Sequence, residues 1–340
     1  MKIALLTGGL SSEREVSLSS GRGILKGLRE LGHNVVVIDP IYGDTMIDED
    51  LVFKDKVSKE YPTLEKIRKL QKESSHKLID CINSELFNDI DLVFIGLHGK
   101  FGEDGKIQTL LELKGLKYTG SGIQSSAVAM DKDLSKLVFE KNNILTPDWL
   151  ALYSENNVKY NDCINLLGNP IVIKPNDEGS TVGLTIAKNV KEFFSGIKTA
   201  FTYSEKVLLE RYIKGRELTV SIIDGEPYPV IEIVPHKGFY DYEHKYSKGM
   251  STYVCPAVIP EEVADKAKNL ALIAYNALNC RVYARVDFLL TEEKDLYCLE
   301  VNTLPGMTEL SLVPMAAKAM KMDFNNLIKK LIDSSFRKYD

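Results

Sequence analysis

The stretch Arg285-Val-Asp287-Phe-Leu-Leu-Thr-Glu-Glu-Lys-Asp-Leu-Tyr-Cys-Leu-Glu300-Val-Asn302 decides the fold of the C-terminal third of the chain. Its alternating apolar residues predict two strands joined by a polar turn near Lys294. In a hairpin symmetric about that turn, Asp287 lies opposite Glu300 and Arg285 lies opposite Asn302. Because side chains on a strand alternate between faces, all four then share one face of the sheet.

The shared face predicts a binding site for divalent cations. Directly opposed carboxylates destabilise a sheet, whereas two carboxylates beside an amide oxygen suit a hard cation, with phosphate oxygens completing its shell. The alternative is a solvated charged face. The neighbouring residues are apolar and indicate a half-buried sheet, which favours the metal site: Val286, Phe288, Leu299 and Val301.

Length, charge and cysteine usage limit the class of protein. A chain of 340 residues with 44% hydrophobic residues is long enough for two or three domains. The formal charge of −5 argues against a nucleic-acid partner and against a basic membrane-binding face. The five cysteines are scattered without a C-x-x-C spacing, and no apolar run approaches the length of a membrane span. These features predict a soluble, cytoplasmic protein with no membrane partner.

The order of predicted elements indicates an α/β (α+β) protein. A strand over 3–7, a helix over 16–31 and a strand over 34–39 form a β-α-β unit, which predicts a Rossmann-like parallel sheet. Strands over 207–212, 218–223 and 228–234 precede the hairpin and predict a second, largely antiparallel sheet. The loop over 236–256 has the length of a functional lid. We assign no chemistry to residues 44–88.

A second motif, over residues 177–183, follows a strand that ends near Lys174. The small residues Gly179, Ser180 and Thr181 allow backbone N–H groups and hydroxyls to approach phosphate oxygens. Such a loop alone is more often a plain turn. However, the Lys174 ammonium on an apolar strand needs an anionic partner, and a nucleotide phosphate would supply one.

Several polar residues allow two interpretations. Glu13 either caps the first helix or holds a substrate ammonium. Glu210 lies beside apolar Tyr212 and Ile213. Its carboxylate either accepts hydrogen bonds from the adenine and ribose of a nucleotide or forms surface ion pairs on an edge strand. The same choice applies to Glu217. Two isolated lysines, Lys132 and Lys245, would by themselves be solvated, and none of the five histidines has zinc-ligand spacing.

Taken together, the motifs resemble the D-alanine–D-alanine ligase family of ATP-grasp enzymes over nearly the whole chain and in the same order. The segments that carry the resemblance are Gly8 to Ser17, His98 to Gly105, Tyr118 to Ser121, Met130 to Lys132, Lys174 to Gly183, Tyr240 to Tyr246, Arg285 to Asp287, and Glu300 to Pro314.

The resemblance implies an ATP-grasp fold with an N-terminal Rossmann-like domain (1–120), a central domain carrying the phosphate loop (121–210), and a C-terminal domain carrying the lid and the metal site (211–340). It also implies roles for individual residues. Those for ATP are Lys132, Lys174, Gly179, Ser180, Thr181, Glu210, Tyr212, Ile213, Glu217 and Lys245; those for two Mg²⁺ or Mn²⁺ ions are Asp287, Glu300 and Asn302.

The remaining implied roles concern the amino acids. Glu13 would hold the ammonium of the first D-alanine in a pocket lined by His98, and Ser180 and Tyr246 would link Glu13 to the phosphate loop and the lid. Arg285 and the Gly306 N–H would stabilise the oxyanion, and Ser311 with Leu312 would seat the second D-alanine. A homodimer is implied as well. The resemblance assigns no base for the second amine.

Three residues depart from the usual family pattern, and none removes a reacting group. Thr181 replaces a serine, Val282 stands where glycine is common, and Leu310 stands where some members have histidine. The implied reaction is ATP-driven ligation through an acyl phosphate.

Three alternatives were weighed. D-serine or D-lactate could be the second substrate, although apolar Leu312 and Tyr246 favour D-alanine. A non-catalytic ATP-binding module would not need Arg285. An NAD-dependent oxidoreductase would need a glycine fingerprint that the first β-α-β unit lacks.

Overall fold

The computed structural model describes residues 1–54, 62–156, 158–235, 251–308 and 311–340. Lys245, Tyr246 and Leu310 lie outside these residues, as does most of the predicted lid. Among the described residues, no helix is both long enough and apolar enough to cross a membrane.

The first sheet is parallel, as the β-α-β pattern predicts. Its strands are β1 (Lys2–Leu6), β2 (Asn34–Ile38) and β3 (Leu92–Ile95), in the order β2-β1-β3. All four residues of β3 are buried, which is typical of a strand covered on both faces. The described helices of this region are α1 (Arg14–Glu30), α2 (Glu49–Val52), α3 (Leu64–Ser74), α4 (Lys77–Asn83) and α5 (Lys106–Leu113), with 3-10 turns at Pro40–Tyr42 and Glu85–Phe87.

The second sheet is small and antiparallel. Its strands are β4 (Trp149–Leu152), β5 (Ile171–Pro175), β6 (Thr185–Ala187) and β7 (Val207–Arg211), in the order β4-β7-β5-β6. The accompanying helices are α6 (Ile123–Met130), α7 (Lys132–Lys141), α8 (Tyr160–Leu167) and α9 (Val190–Phe201). Because β7 lies between β4 and β5, the interpretation of Glu210 as an edge-strand residue is wrong.

The third sheet is also antiparallel. Its strands are β8 (Arg216–Ile223), β9 (Glu226–Pro227), β10 (Ile231–Pro235), β11 (Ser251–Val254), β12 (Tyr283–Leu290) and β13 (Leu296–Asn302). The order is β11-β10-β8-β12-β13, with β9 beside β8. Helix α10 (Glu261–Ala277) covers it, and its buried alanines contribute to the same core as Val286 and Phe288.

The last two helices return to the beginning of the chain. They are α11 (Leu312–Ala319) and α12 (Phe324–Arg337). Leu327 and Leu331 of α12 are buried in the same core cluster as Leu5 and Phe94 of the first sheet. The division at about residues 120 and 210 remains a prediction about domains.

The register of the β12-β13 hairpin is the predicted one. Asp287 pairs with Glu300 and Arg285 pairs with Asn302. A bulge between Asp287 and Phe288 shifts the register beyond this point. The two strands therefore present the four polar side chains together.

Candidate active site

The Asp287 carboxylate is the centre of the polar face of the hairpin. Arg285 donates from Nε and Nη2 to its two oxygens, at 2.9 Å each. Asn302 Nδ2 donates to Oδ2 at 3.0 Å, and Thr219 Oγ1 donates to Oδ1 at 2.6 Å. Both oxygens of this buried carboxylate therefore accept hydrogen bonds from the protein. These bonds offset the cost of burying its charge beside Glu300.

The oxygen-bearing side chains on this face are suitable ligands for Mg²⁺ or Mn²⁺. Two carboxylates and an amide group come from paired positions of adjacent strands, and hard cations prefer oxygen ligands of this kind. Among the described residues, no three His, Cys, Asp or Glu side chains form a cluster that could hold a metal. A metal at this place therefore depends on the amide oxygen of Asn302 and on oxygens of a ligand.

The lysine at the start of α7 connects the hairpin to the phosphate loop. Lys132 Nζ lies 3.1 Å from Glu300 Oε2 and donates to the Glu178 carbonyl at 2.8 Å. Burial alone would lower the pKa of Lys132, but Glu300 and more distant carboxylates hold that pKa above its usual value. The interpretation of Lys132 as a solvated lysine is wrong.

The phosphate loop has the backbone that close approach to an anion requires. Ser180 and Thr181 have φ of +52° and +63°, in the left-handed region that non-glycine residues rarely adopt. Strain of this kind is concentrated at ligand-binding sites. Val282, the residue that replaces a common glycine, also has a positive φ, of +66°.

Glu210 is the anionic partner that Lys174 needs. Lys174 Nζ lies 2.8 Å from Glu210 Oε2, and Lys136 Nζ lies 3.0 Å from Oε1. Burial would raise the pKa of this carboxyl group, but the two lysines hold it below its usual value. The predicted need for an anion is therefore confirmed, and in this structure a protein carboxylate meets it.

Glu13 occupies the N-cap position of α1, but its side chain does not cap the helix, so the interpretation of this carboxylate as a cap is wrong. Its side chain makes no cap hydrogen bond and instead accepts from Ser180 Oγ, which belongs to the phosphate loop. The Glu13 side chain is buried and faces a cavity, so it is placed to contact a ligand.

His98 is held by neutral partners. Its Nδ1 lies 3.0 Å from the Leu304 carbonyl and its Nε2 lies 2.9 Å from Ser20 Oγ, which accepts from the Met307 N–H at 3.2 Å. Glu103 lies beside the ring, 3.6 Å from Nδ1. Burial raises the pKa of the Glu103 carboxyl group, although His98 opposes that shift.

The predicted residues line two adjoining cavities. The cavity predicted to hold the nucleotide, here called the nucleotide cavity, is lined by Lys132, Lys174, Gly179, Ser180, Thr181, Glu210, Tyr212, Ile213, Glu217, Arg285, Asp287 and Glu300. The cavity predicted to hold the amino acids, here called the amino-acid cavity, is lined by Glu13, His98, Lys132, Gly179, Ser180, Arg285, Glu300, Asn302, Gly306, Ser311 and Leu312. Lys132, Gly179, Ser180, Arg285 and Glu300 line both. Lys245 and Tyr246 are the only predicted site residues outside the described part of the chain.

Three residues of the site were missed from the sequence. Lys136 follows Lys132 by one helical turn, a spacing that places both on one side of α7 and is the only signal available for it. Glu103 belongs to the segment His98 to Gly105, yet nothing in that stretch of sequence shows that its side chain is buried. Ser20 gives no signal, because it is one of several serines on α1.

The three sheets, the lysine-lined nucleotide cavity and the acidic hairpin define an ATP-grasp protein. The family model described as D-ala D-ala ligase N-terminus matches residues 2–121, and that described as D-ala D-ala ligase C-terminus matches residues 138–333. The D-alanine–D-alanine ligase of Halalkalibacterium halodurans is 42% identical over 99% of this chain and 100% of its own. The Aquifex aeolicus ligase is 41% identical over 98% of this chain and 100% of its own.

A solved structure agrees with the sequence comparisons. The D-alanine–D-alanine ligase of Bacillus anthracis, complexed with ATP, is 33% identical and superposes with a TM-score of 0.77, covering 99% of this chain and 97% of that one. The chain belongs to the D-alanine–D-alanine ligase family.

Proposed function

We propose that the protein joins two D-alanine molecules into D-alanyl-D-alanine, with conversion of ATP to ADP and phosphate, for the synthesis of peptidoglycan precursors. The observation that carries this proposal is that the nucleotide cavity and the amino-acid cavity share Ser180, Arg285 and Glu300. A reaction between a nucleotide phosphate and an amino-acid carboxylate needs such a junction.

The first step activates a carboxylate. Glu13 is placed to bind the ammonium of the first D-alanine, which directs its carboxylate toward the phosphate loop. The carboxylate attacks the γ-phosphorus of ATP, and ADP leaves, so that an acyl phosphate forms. Phosphoryl transfer depends on positioning and charge neutralisation, and Lys132 and Lys174 supply positive charge at this cavity.

Asp287, Glu300 and Asn302 would hold two Mg²⁺ or Mn²⁺ ions. When bound, such an ion supplies charge neutralisation at the phosphate oxygens and helps to orient them. Lys245 as a ligand of the γ-phosphate, and Tyr246 as a link to the lid, remain predictions from the family resemblance.

The second step forms the amide bond. The amine of the second D-alanine attacks the carbonyl carbon of the acyl phosphate, and phosphate leaves the tetrahedral intermediate. Arg285 and the Gly306 N–H line the amino-acid cavity and are proposed to stabilise the oxyanion. A Cβ at position 306 would lie 2.8 Å from Ser311 Oγ, so the backbone approaches this wall of the cavity as closely as glycine allows.

Selectivity for D-alanine at the second position is proposed to come from Leu312, an apolar residue of the amino-acid cavity. A hydroxyl of D-serine placed against it would lose its hydrogen bonds with water. A homodimer, which the resemblance to the family implies, and a cytoplasmic location, which the composition and the scattered cysteines indicate, complete the proposal.

One assay tests the proposal. The purified protein is incubated with ATP, Mg²⁺ and D-alanine, and in parallel with D-alanine plus D-serine or D-lactate, while phosphate release and product are measured. Stoichiometric D-alanyl-D-alanine and phosphate are expected. ATP hydrolysis without dipeptide, or a mixed product formed in preference to the dipeptide, would contradict the proposal.

A further inference from the structure

Lys136 is a buried lysine that lines neither cavity. Its side chain is 0% exposed, and Nζ donates to Thr146 Oγ1 at 2.8 Å and to the Pro147 carbonyl at 2.9 Å. The ring of Trp149 lies 5.1 Å from Nζ. A buried ammonium is costly unless it is paired. Its anionic partner is Glu210, at 3.0 Å.

Glu210 keeps an acceptor site that its lysines do not use. Lys136 lies within ion-pair distance of Oε1, yet among the described residues no donor forms a hydrogen bond of normal geometry with this buried oxygen. The Glu210 side chain also lines the nucleotide cavity. A ligand with an N–H donor at that wall would therefore find a charged acceptor.

The two lysines beside Glu210 differ in their freedom. Lys174 lines the cavity next to the phosphate loop and its side chain is 12% exposed, so a bound anion competes with Glu210 for it. Lys136 has no exposure and is anchored by two neutral acceptors. Once a nucleotide draws Lys174 toward its phosphates, Lys136 is the counter-ion that remains.

We propose that Lys136 is a positioning residue that keeps Glu210 ionised while a nucleotide is bound, and thereby selects a base with an exocyclic amino group over one with an oxygen at the same place. An ionised carboxylate only accepts hydrogen bonds, so it pairs with a 6-amino group and repels a 6-oxo group. A protonated carboxyl group donates as well and loses this discrimination. The inference rests on the proposed nucleotide site.

The charged groups around Lys136 determine the expected pH dependence. Glu210 faces it from β7, Lys174 from β5 and Cys298 from β13, while Lys132 lies one turn earlier on α7. Burial lowers the pKa of Lys136 to about 8, with Lys174 acting in the same direction and Glu210 opposing. Lys136 is therefore charged at pH 7. Without it, burial raises the pKa of Glu210 and only Lys174 opposes the change.

The test is a comparison of ADP, whose base has a 6-amino group, and IDP, whose base has a 6-oxo group and a proton on N1. Dissociation constants are measured by calorimetry with Mg²⁺ from pH 6 to 7.5 for wild type, Lys136→Met and the control Lys141→Met, which changes an exposed lysine at the end of the same helix. Wild type and control are expected to prefer ADP by a ratio that is constant over this range. In Lys136→Met the preference for ADP over IDP is expected to fall about tenfold or more at pH 6, which corresponds to a change of about one unit in the pKa that governs protonation of Glu210. The preference is expected to recover as the pH rises. A ratio that stays at the wild-type value in folded Lys136→Met overturns the inference.

The double variant Lys136→Met, Glu210→Gln shows whether Lys136 acts through Glu210. In the Glu210→Gln background, Lys136→Met is expected to change the ADP/IDP ratio less than twofold, since no carboxylate remains to be ionised. An equal loss in both backgrounds overturns the inference. If Lys136→Met alone does not fold, the double variant should, because both partners of the buried pair are removed together. Failure of both to fold also overturns it.

The outcomes separate the inference from the proposed function. If the wild-type protein prefers ADP but makes no dipeptide, the proposed function is contradicted. The ratio of the ADP and IDP dissociation constants in Lys136→Met then still decides the inference. Wild type that makes dipeptide, with an unchanged ratio in Lys136→Met, contradicts only the inference. Binding of neither nucleotide contradicts both.

Discussion

The two cavities are held together by different kinds of interaction. In the amino-acid cavity, distant segments are joined largely by neutral groups, such as Ser20 and the Leu304 carbonyl on His98. In the nucleotide cavity, charged groups are paired with one another, as in Lys174–Glu210 at 2.8 Å, and the Lys132–Glu300 pair, at 3.1 Å, lies where the two cavities adjoin.

This difference has a consequence for ligand binding. Neutral hydrogen bonds between fixed segments pre-form a pocket for a small substrate. Ion pairs between protein groups can instead be exchanged for pairs with a ligand, because a triphosphate offers oxygens to the lysines and a cation replaces the donors on the carboxylates. Arg285 belongs to both environments, since it binds Asp287 and also lines the amino-acid cavity.

The largest effect is expected for Arg285→Ala, which removes the guanidinium at the junction. Loss of one oxyanion donor typically costs ~3–4 kcal/mol, so kcat should fall roughly 10²- to 10³-fold. The KM for ATP should change only a few-fold, which steady-state phosphate release at varied ATP would show. Arg285→Lys keeps the positive charge but loses the paired N–H donors of the guanidinium, so it should recover part of kcat. An unchanged kcat in Arg285→Ala would remove this residue from the mechanism.

Glu13→Gln tests the proposed binding of the first D-alanine in the amino-acid cavity. Hydrogen bonds to charged groups contribute about 1.5–3 kcal/mol, so kcat/KM for the first D-alanine should fall about 10- to 100-fold. The KM for ATP should change less than that for D-alanine, because Glu13 reaches the nucleotide cavity only through Ser180. Glu15→Gln, on the same helix and beside Lys66, is the matched control. Equal losses for both substrates would show that the cavities are not independent.

Glu103→Gln tests whether the amino-acid cavity holds a neutral group. Burial raises the pKa of this carboxyl group, so the folded protein keeps a proton that the unfolded chain releases above its ordinary carboxyl pKa. The stability contributed by the folded state is therefore present at low pH and is lost as the pH rises through the raised pKa. Urea unfolding at pH 5 and pH 8 should show a smaller decrease for Glu103→Gln than for wild type. An identical decrease would mean that Glu103 is ionised in the fold.

The smallest effect is expected for Lys100→Met, which removes ion pairs that tie the segment His98 to Gly105 to the phosphate loop. Lys100 Nζ lies 3.2 Å from Asp177 and 2.9 Å from Glu178, and donates to the Tyr203 carbonyl at 3.1 Å. Because such pairs are partly exposed, the loss in stability should be at most ~1 kcal/mol. KM for both substrates should rise a few-fold with kcat unchanged. Lys106→Met, which breaks only a pair within the same loop, should leave both KM values at the wild-type level.

Local patterns predicted much of this molecule, and contacts across the chain limited the rest. The β12-β13 register follows from alternation over a short hairpin, so Asp287 and Glu300 could be paired from the sequence alone. The location of Glu210 on a central strand could not, because strand order is set by packing between elements. The pair between Lys136 and Glu210 joins residues far apart in the chain, and neither residue has a neighbour that indicates it.

The return of α12 to the first sheet affects how the chain is made. Synthesis on the ribosome makes residues 2–6 before residues 324–337, yet Leu5 and Leu327 belong to one core. A nascent chain therefore exposes part of the apolar surface of its first sheet until α12 has been made. Products that stop before α12 leave that surface uncovered and become targets for chaperones and proteases.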